Sequence, residues 1–191
     1  MTFQELILKV ADSYVGMEEV GNNEAFKDKV FEKEMIKFGE WWRGAPWCAC
    51  AVQLIVLKAG LMYISQGIKR GVSMEHPLLK TLDRIMTPSV MQTFWNFKKA
   101  KGFTVTYKPK PGSIMFMQSF RNGEGLTTGH TGIVKKVNQL NHDIYEGNTN
   151  VRGEREGKFF MVKNRPIDFD TPLNGKAIIG YVNPTQYYET H

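Results

Sequence analysis

Cysteine and histidine are scarce in this 191-residue chain, at two and four residues. Neither HExxH nor CxxC occurs. Two cysteines cannot build a structural zinc site alone. Cys48 and Cys50 also stand in a C-x-C pair. Within one helix that spacing points the side chains in nearly opposite directions, which disfavours a disulfide. Whether one of them is a nucleophile is then the useful question. The chain also lacks internal repeats, low-complexity tracts and linkers, and it is read without an apolar run of membrane-spanning length. Met1 to Gly16 has no basic head and no small-residue cleavage site, and it carries Glu5, Lys9 and Asp12 among its apolar residues. It is therefore not a secretory signal, and the expectation is a chain that is cytoplasmic at synthesis. With 42% hydrophobic and 23% charged residues, disordered and collagen-like classes drop out. A single domain over residues 1–191 is expected.

The net charge of +6 is unevenly placed. Residues 1–97 hold 11 basic and 11 acidic side chains, whereas residues 98–191 hold 14 and 8. The second half alone carries the excess and would attract a polyanion, such as nucleic acid, anionic lipid or a bacterial cell wall. A solvated basic face is the equal alternative.

Apolar periodicity divides the chain in two. Phe3, Leu6, Ile7, Val10, Ala11 and Tyr14 follow the helical repeat, and Thr2 with Glu5 is a capping-box signature. A break at Gly21-Asn22-Asn23 precedes a charged helix over 24–37 and a Trp-rich loop from Gly39 to Pro46. Residues 47–59 predict a helix that is apolar nearly all round, hence buried on most sides, with Gly60 as its stop. A loop is expected over 61–75, then a short helix over 77–86. Another helix opens at Thr87-Pro88 and runs to about Lys101, with Pro88 in its first turn. From about residue 102 the pattern changes to short strands: 103–107, 113–117, 129–137, 143–148, 159–165 and 176–182. Helices first and an antiparallel sheet second is an α+β arrangement.

Cys48 falls in the first turn of the apolar helix, where unpaired N–H groups and the positive end of the helix dipole lie. That setting favours a thiolate, and the same N–H groups can hold an oxyanion. A buried core cysteine is the bland alternative, and Cys50, on another helix face, is read that way. A nucleophilic cysteine needs a base. His191 is terminal, His142 lies in the polar turn 138–143, and His76 precedes Pro77 in a loop. His130 instead opens a strand at the edge of a sheet. A hairpin centred near Asn138 pairs residue 130 with 146, and one centred near Leu140 pairs it with 150. Either way Glu146, Asn148 and Asn150 share the face that can meet His130. Glu146 or Asn148 can then accept from the imidazole.

At these residues the sequence resembles a known family. Gly44-Ala-Pro-Trp-Cys48-Ala, Lys108-Pro-Lys-Pro-Gly-Ser-Ile-Met-Phe116, Gly129-His-Thr-Gly-Ile-Val134 and Tyr145-Glu-Gly-Asn148 look like the successive signatures of CHAP domains. Gly16-Met-Glu-Glu19 followed by Gly21-Asn22-Asn23 is similar to the opening of many phage and bacterial CHAP proteins. The resemblance implies a papain-like α+β fold, with N-terminal helices (about 1–101) packed on a C-terminal antiparallel sheet (about 102–191). It implies Cys48 as nucleophile, His130 as base, Glu146 as orienting residue and Asn148 as a polar residue completing the site. It also implies peptidoglycan, or another peptide or amide, as substrate, and no cofactor. Some members bind calcium through an acidic N-terminal loop; no equivalent is found, so no metal is expected. Nor is nucleic acid, membrane insertion or an oligomer. Two positions depart from the usual pattern: Cys50 stands where a bulky apolar residue is common, and Ser113 where the strand usually begins with aspartate.

The substrate-binding candidates are Trp47, Trp42 and Asn23. The tryptophans near Cys48 are open to two readings, lining a glycan or peptide groove or building the core. The polar stretch Gln118–Thr128 reads as a lid or substrate loop. Two other functions compete with a cell-wall hydrolase: a non-catalytic wall-binding or phage structural module, and an amidase on a non-wall substrate. A chain without a leader that acts at the wall would be released by lysis or secreted by another route.

Overall fold

A computed structural model of the chain describes residues 1–66, 76–150 and 157–185. Five helices come first: α1 (Phe3–Ser13), α2 (Lys29–Gly39), α3 (Cys48–Ser65), α4 (Pro77–Ile85) and α5 (Val90–Lys99). A small hairpin of β1 (Glu19–Val20) and β2 (Ala25–Phe26) lies between α1 and α2. The second half supplies β3 (Val105–Thr106), β4 (Ile114–Arg121), β5 (Glu124–Val137), β6 (Asn141–Thr149), β7 (Phe159–Pro166) and β8 (Gly175–Val182). These form one antiparallel sheet in the order β3-β8-β4-β5-β6-β7. The α+β arrangement read from the sequence is the one present.

α1 begins as its sequence dictates. Thr2 Oγ1 accepts from the Glu5 N–H, and Glu5 Oε2 accepts from the Thr2 N–H, so both halves of the capping box form. α2 starts later than the charge pattern suggested, because Asp28 caps it by accepting from the Val30 and Phe31 N–H groups; residues 25 and 26 pair as a strand instead. Likewise Pro88 does not open α5. Ser89 is the N-cap, accepting from the Gln92 N–H, which leaves Pro88 outside the helix.

α3 is the central element. It packs on α1, α2 and α4 on one side and on β5 and β6 on the other. Burial from both sides explains why its apolar residues surround it. At 18 residues, α3 is by length and composition the one helix among the described residues long and apolar enough to cross a membrane, which corrects the reading that no such run exists. Here it is the core helix. It also passes through Gly60 to Ser65, into the stretch read as loop; positions 67–75 of that stretch lie outside the described residues.

The sheet curls strongly. One face joins the helices in the main core through Ile114, Phe116, Ile133, Tyr145 and Phe160. The other encloses a second cluster of Met115, Met117, Val134, Ile144, Ile178 and Tyr181. Curvature brings Tyr181 of β8 against His142 of β6, although β4 and β5 lie between those strands.

Residues 118–121 and 124–128 are strand rather than loop. They are the outer end of the β4–β5 hairpin, closed by Asn122-Gly123 with φ of 52° and 78°. Two consecutive positive φ values between paired Arg121 and Glu124 are what a two-residue primed turn requires, and Asn-Gly is its usual sequence.

Candidate active site

Cys48 is the first residue of α3, and Trp47 stands at the N-cap without a side-chain hydrogen bond. The first N–H groups of the helix are therefore left to the site rather than to a cap. The Cys48 side chain is almost fully buried. Burial alone would raise its pKa. The His130 imidazole and the backbone N–H groups of Ala49 and Thr131 outweigh that, and the thiol is held below its ordinary value. Cys50 has no imidazole partner. Burial and the neighbouring Cys48 push its thiol up to about 12, so it stays protonated.

His130 is placed by the hairpin register. β5 and β6 pair through Ile133↔Tyr145 and Val134↔Ile144, a centre near residue 139, between the two centres considered from the sequence. Residue 130 then lies level with residue 148, and Glu146 approaches it diagonally from the same face. Glycine makes room at two points. A Cβ on Gly132 would stand 2.5 Å from the Tyr145 carbonyl oxygen and 3.0 Å from Glu146 Cγ. A Cβ on Gly147 would stand 2.6 Å from the Trp47 ring and 3.0 Å from Ala51 Cβ. The first gap admits the Glu146 side chain, and the second lets β6 lie against the start of α3.

The imidazole sits between two partners. His130 Nε2 lies 2.9 Å from Glu146 Oε2, both side chains being buried. That leaves Nδ1 for the thiol, and the thiol and imidazole each shift the other's proton affinity. Burial works against the imidazolium, but Cys48 and Glu146 dominate and raise His130 to about 9. Glu146 is fully buried and yet ionised. Burial would raise its pKa, whereas Arg165 and His130 bring it down to about 2. Both directions favour a thiolate–imidazolium pair over a neutral thiol and imidazole.

Arg165, on β7, did not figure among the sequence candidates. Its Nη2 donates to Glu146 Oε2 at 2.7 Å, and its Nε donates to Oε1, so the guanidinium grips both carboxylate oxygens. The available signal was a lone arginine alternating onto the inner face of a strand, which is too common to single out.

The other candidates divide. Asn148 adopts φ 53° where the β6–β7 pairing breaks, between Glu146 and Thr149. Its Oδ1 is buried without a partner, and among the described residues no hydrogen bond joins it to Cys48, His130 or Glu146. Trp42 is 59% exposed and lines a groove of about 620 Å³ that opens onto Cys48, with Glu40, Pro46, Pro88 and Thr128 among its other walls. Trp47 and Asn23 require correction, because both are buried rather than open to the groove. Trp47 is fully buried, packs edge-on to Phe26, and donates Nε1–H to Glu19 Oε2 at 2.7 Å. Asn23 is 4% exposed; its N–H donates to Glu19 and its carbonyl accepts from the Gly44 N–H. These two residues brace the loop that leads into α3. Trp41 is also core.

His142 is not in a turn. It is buried in β6, with Nδ1 2.9 Å from the Arg165 carbonyl and Nε2 2.8 Å from the Tyr181 hydroxyl. His76 caps α4, its Nδ1 accepting from the Leu78 N–H, and His191 lies outside the described residues. Among the described residues no three His, Cys, Asp or Glu side chains gather to hold a metal ion.

Comparison with known proteins agrees with this geometry. The family model described as the CHAP domain matches residues 40–148, more than half of the chain and a span that includes Cys48, His130 and Glu146. Searches of curated proteins and of solved structures returned no match. On the family match, the chain belongs to the CHAP-domain family, whose members are cysteine, histidine-dependent amidohydrolases and peptidases generally associated with peptidoglycan.

Proposed function

We propose that the protein hydrolyses amide bonds of peptidoglycan, at the muramoyl–L-alanine amide or within the peptide stem or cross-bridge, with Cys48 as nucleophile. The observation that carries this reading is the 2.9 Å contact between the buried His130 imidazole and the Glu146 carboxylate, with the same imidazole lowering the proton affinity of the Cys48 thiol. A purely structural cysteine has no use for a lowered thiol pKa beside a raised imidazole one.

The chemistry follows from the parts. The thiolate attacks the scissile carbonyl carbon, and negative charge moves to its oxygen. N–H groups at the start of α3 lie where they can hold that oxyanion. The imidazolium of His130 gives its proton to the leaving amine, the C–N bond breaks, and a thioester remains on Cys48. His130, now neutral, takes a proton from water as that water attacks the thioester; the Cys48 thiolate leaves, restoring the starting pair, and the carboxylic acid product gives its proton to solvent. Glu146 keeps the ring oriented throughout by accepting from Nε2–H. The groove beside Trp42 would receive the substrate.

The test is digestion of purified peptidoglycan, followed by mass spectrometry of the released fragments. Wild-type protein is expected to generate new termini at one amide class. Cys48→Ala is expected to generate none while keeping the wild-type circular dichroism spectrum. Full digestion by Cys48→Ala would remove Cys48 as the nucleophile. Inactive wild-type protein with an alkylatable Cys48 would exclude peptidoglycan as substrate.

A further inference from the structure

In a cysteine hydrolase the histidine alternates between imidazolium and neutral imidazole. Its carboxylate partner must stay anionic in both states. For Glu146 the second state is the difficult one, since the side chain has no exposure to water. Once His130 is neutral, a buried carboxylate held by that ring alone would lack a countercharge, which is costly.

We propose that Arg165 is a positioning residue of the active site, acting through Glu146, and that His142 and Tyr181 hold it in place. Its guanidinium meets both carboxylate oxygens, and one of them, Oε2, also meets His130 Nε2. The two-point grip fixes the plane of the carboxylate, and with it the direction in which Nε2–H points. The backbone of Arg165 is itself fixed. His142 is its register partner across β6 and β7. Because a carbonyl can only accept, the His142 Nδ1 beside the Arg165 carbonyl carries the proton, and Nε2 accepts from the Tyr181 hydroxyl. Both residues are fully buried. One line of contacts thus runs from β8 through β6 and β7 to Glu146, His130 on β5 and Cys48 on α3.

Arg165 has a second consequence for the base. Glu146 alone would bind the His130 proton tightly and make the imidazolium a poor acid for the leaving amine. The guanidinium takes up part of the carboxylate charge, so the carboxylate orients the ring while its pull on the proton is moderated. The charged and titratable groups around the carboxylate are His130 from β5 with Cys48 of α3 beyond it, Arg165 from β7, and His142 from β6, with Asp143 of β6 and the Tyr181 hydroxyl of β8 acting on His142 behind it. Arg165 is the permanent cation in direct contact with it.

The proposal rests on the catalytic reading of Cys48 and His130, but its test needs no substrate. The His130 ring is titrated by NMR, and Cys48 is alkylated with iodoacetamide across pH; Cys50, buried and protonated, does not compete. In Arg165→Gln the His130 titration is expected to rise by about one pH unit or more, and in Glu146→Gln to fall by a similar amount. Opposite shifts from neighbouring neutralisations would not follow from loosened packing. The base limb of alkylation should follow each shift. An unmoved titration in Arg165→Gln, or one that moves with Glu146→Gln, overturns the proposal. Should Arg165→Gln fail to fold, Arg165→Lys, whose ammonium lacks the fork, is expected to move part-way upward; an unmoved Lys variant overturns the proposal equally. Failure to cut peptidoglycan would sink the substrate reading and leave these shifts intact.

Discussion

At the scale of single residues, the site is a set of proton affinities displaced in compensating directions. His130 is raised to about 9, so its stabilisation is complete below its ordinary value near 6.5 and is lost as pH rises through about 9. Cys48 is lowered, so its contribution is complete above the ordinary thiol value of 9 and is lost as pH falls through the lowered one. The raised imidazole and the lowered thiol thus act on stability with opposite signs of pH dependence where their ranges overlap. There the two dependences offset one another. Cys48→Ala removes the larger of the two influences that raise His130, so the ring should titrate below about 9. The thiol's opposing contribution is then gone, and the dependence of unfolding on pH should differ between the variant and wild type in that range. Urea unfolding of both proteins at several pH values checks this, and parallel slopes would contradict the ion pair. For Glu146, brought down to about 2, the contribution is present above its ordinary value near 4.5 and is lost as pH falls through about 2.

At the scale of elements, the site depends on how the start of α3 meets β6. Trp47 holds that junction through its Nε1–H bond to the buried Glu19 carboxylate. Trp47→Phe keeps most of the ring packing and removes the donor, so it should destabilise the fold by about 1–3 kcal/mol. Alkylation of Cys48 should slow as the helix start shifts. A thermal melt unchanged from wild type would show that the bond contributes nothing. This element also shows what could be read in advance. The start of α3 was legible because Pro46, Trp47 and an apolar run signal it locally. Its end was not, because Gly60 looks like a stop. That glycine in fact serves close packing, since a Cβ there would stand 2.7 Å from Leu79 Cδ2. His130 and Glu146 were legible because a short hairpin links them, so sequence distance predicts spatial distance. Arg165 and Tyr181 were not, because they arrive by sheet order and curvature, which no local pattern encodes. The tryptophans were ambiguous for a related reason: burial separates Trp47 from Trp42, and composition does not.

At the scale of the whole molecule, the site joins two unlike halves. Cys48 comes from the charge-balanced helical half, and His130, Glu146 and Arg165 come from the half carrying the excess of six positive charges. The family match ends at residue 148, but the structure that supports the site does not. β4 lies between β5 and β8, and β6 between β5 and β7. A fragment of residues 40–148 would leave β4 and β6 as bare edges. It would also uncover the side of α3 that α1 covers with Leu6, Ile7 and Val10, and it would leave Glu146 buried without Arg165. Losing two sheet strands and two core helices, α1 and α2, removes far more apolar burial than the marginal stability of a domain can spare, about 5–15 kcal/mol. The fragment is therefore expected to show no cooperative thermal transition and to be cleaved rapidly by a nonspecific protease, whereas the full chain melts as one unit. Should the fragment melt cooperatively and retain a Cys48 that alkylates at neutral pH as fast as in the full chain, the matched span would be a self-sufficient catalytic unit, and β7 and β8 would be accessory to it.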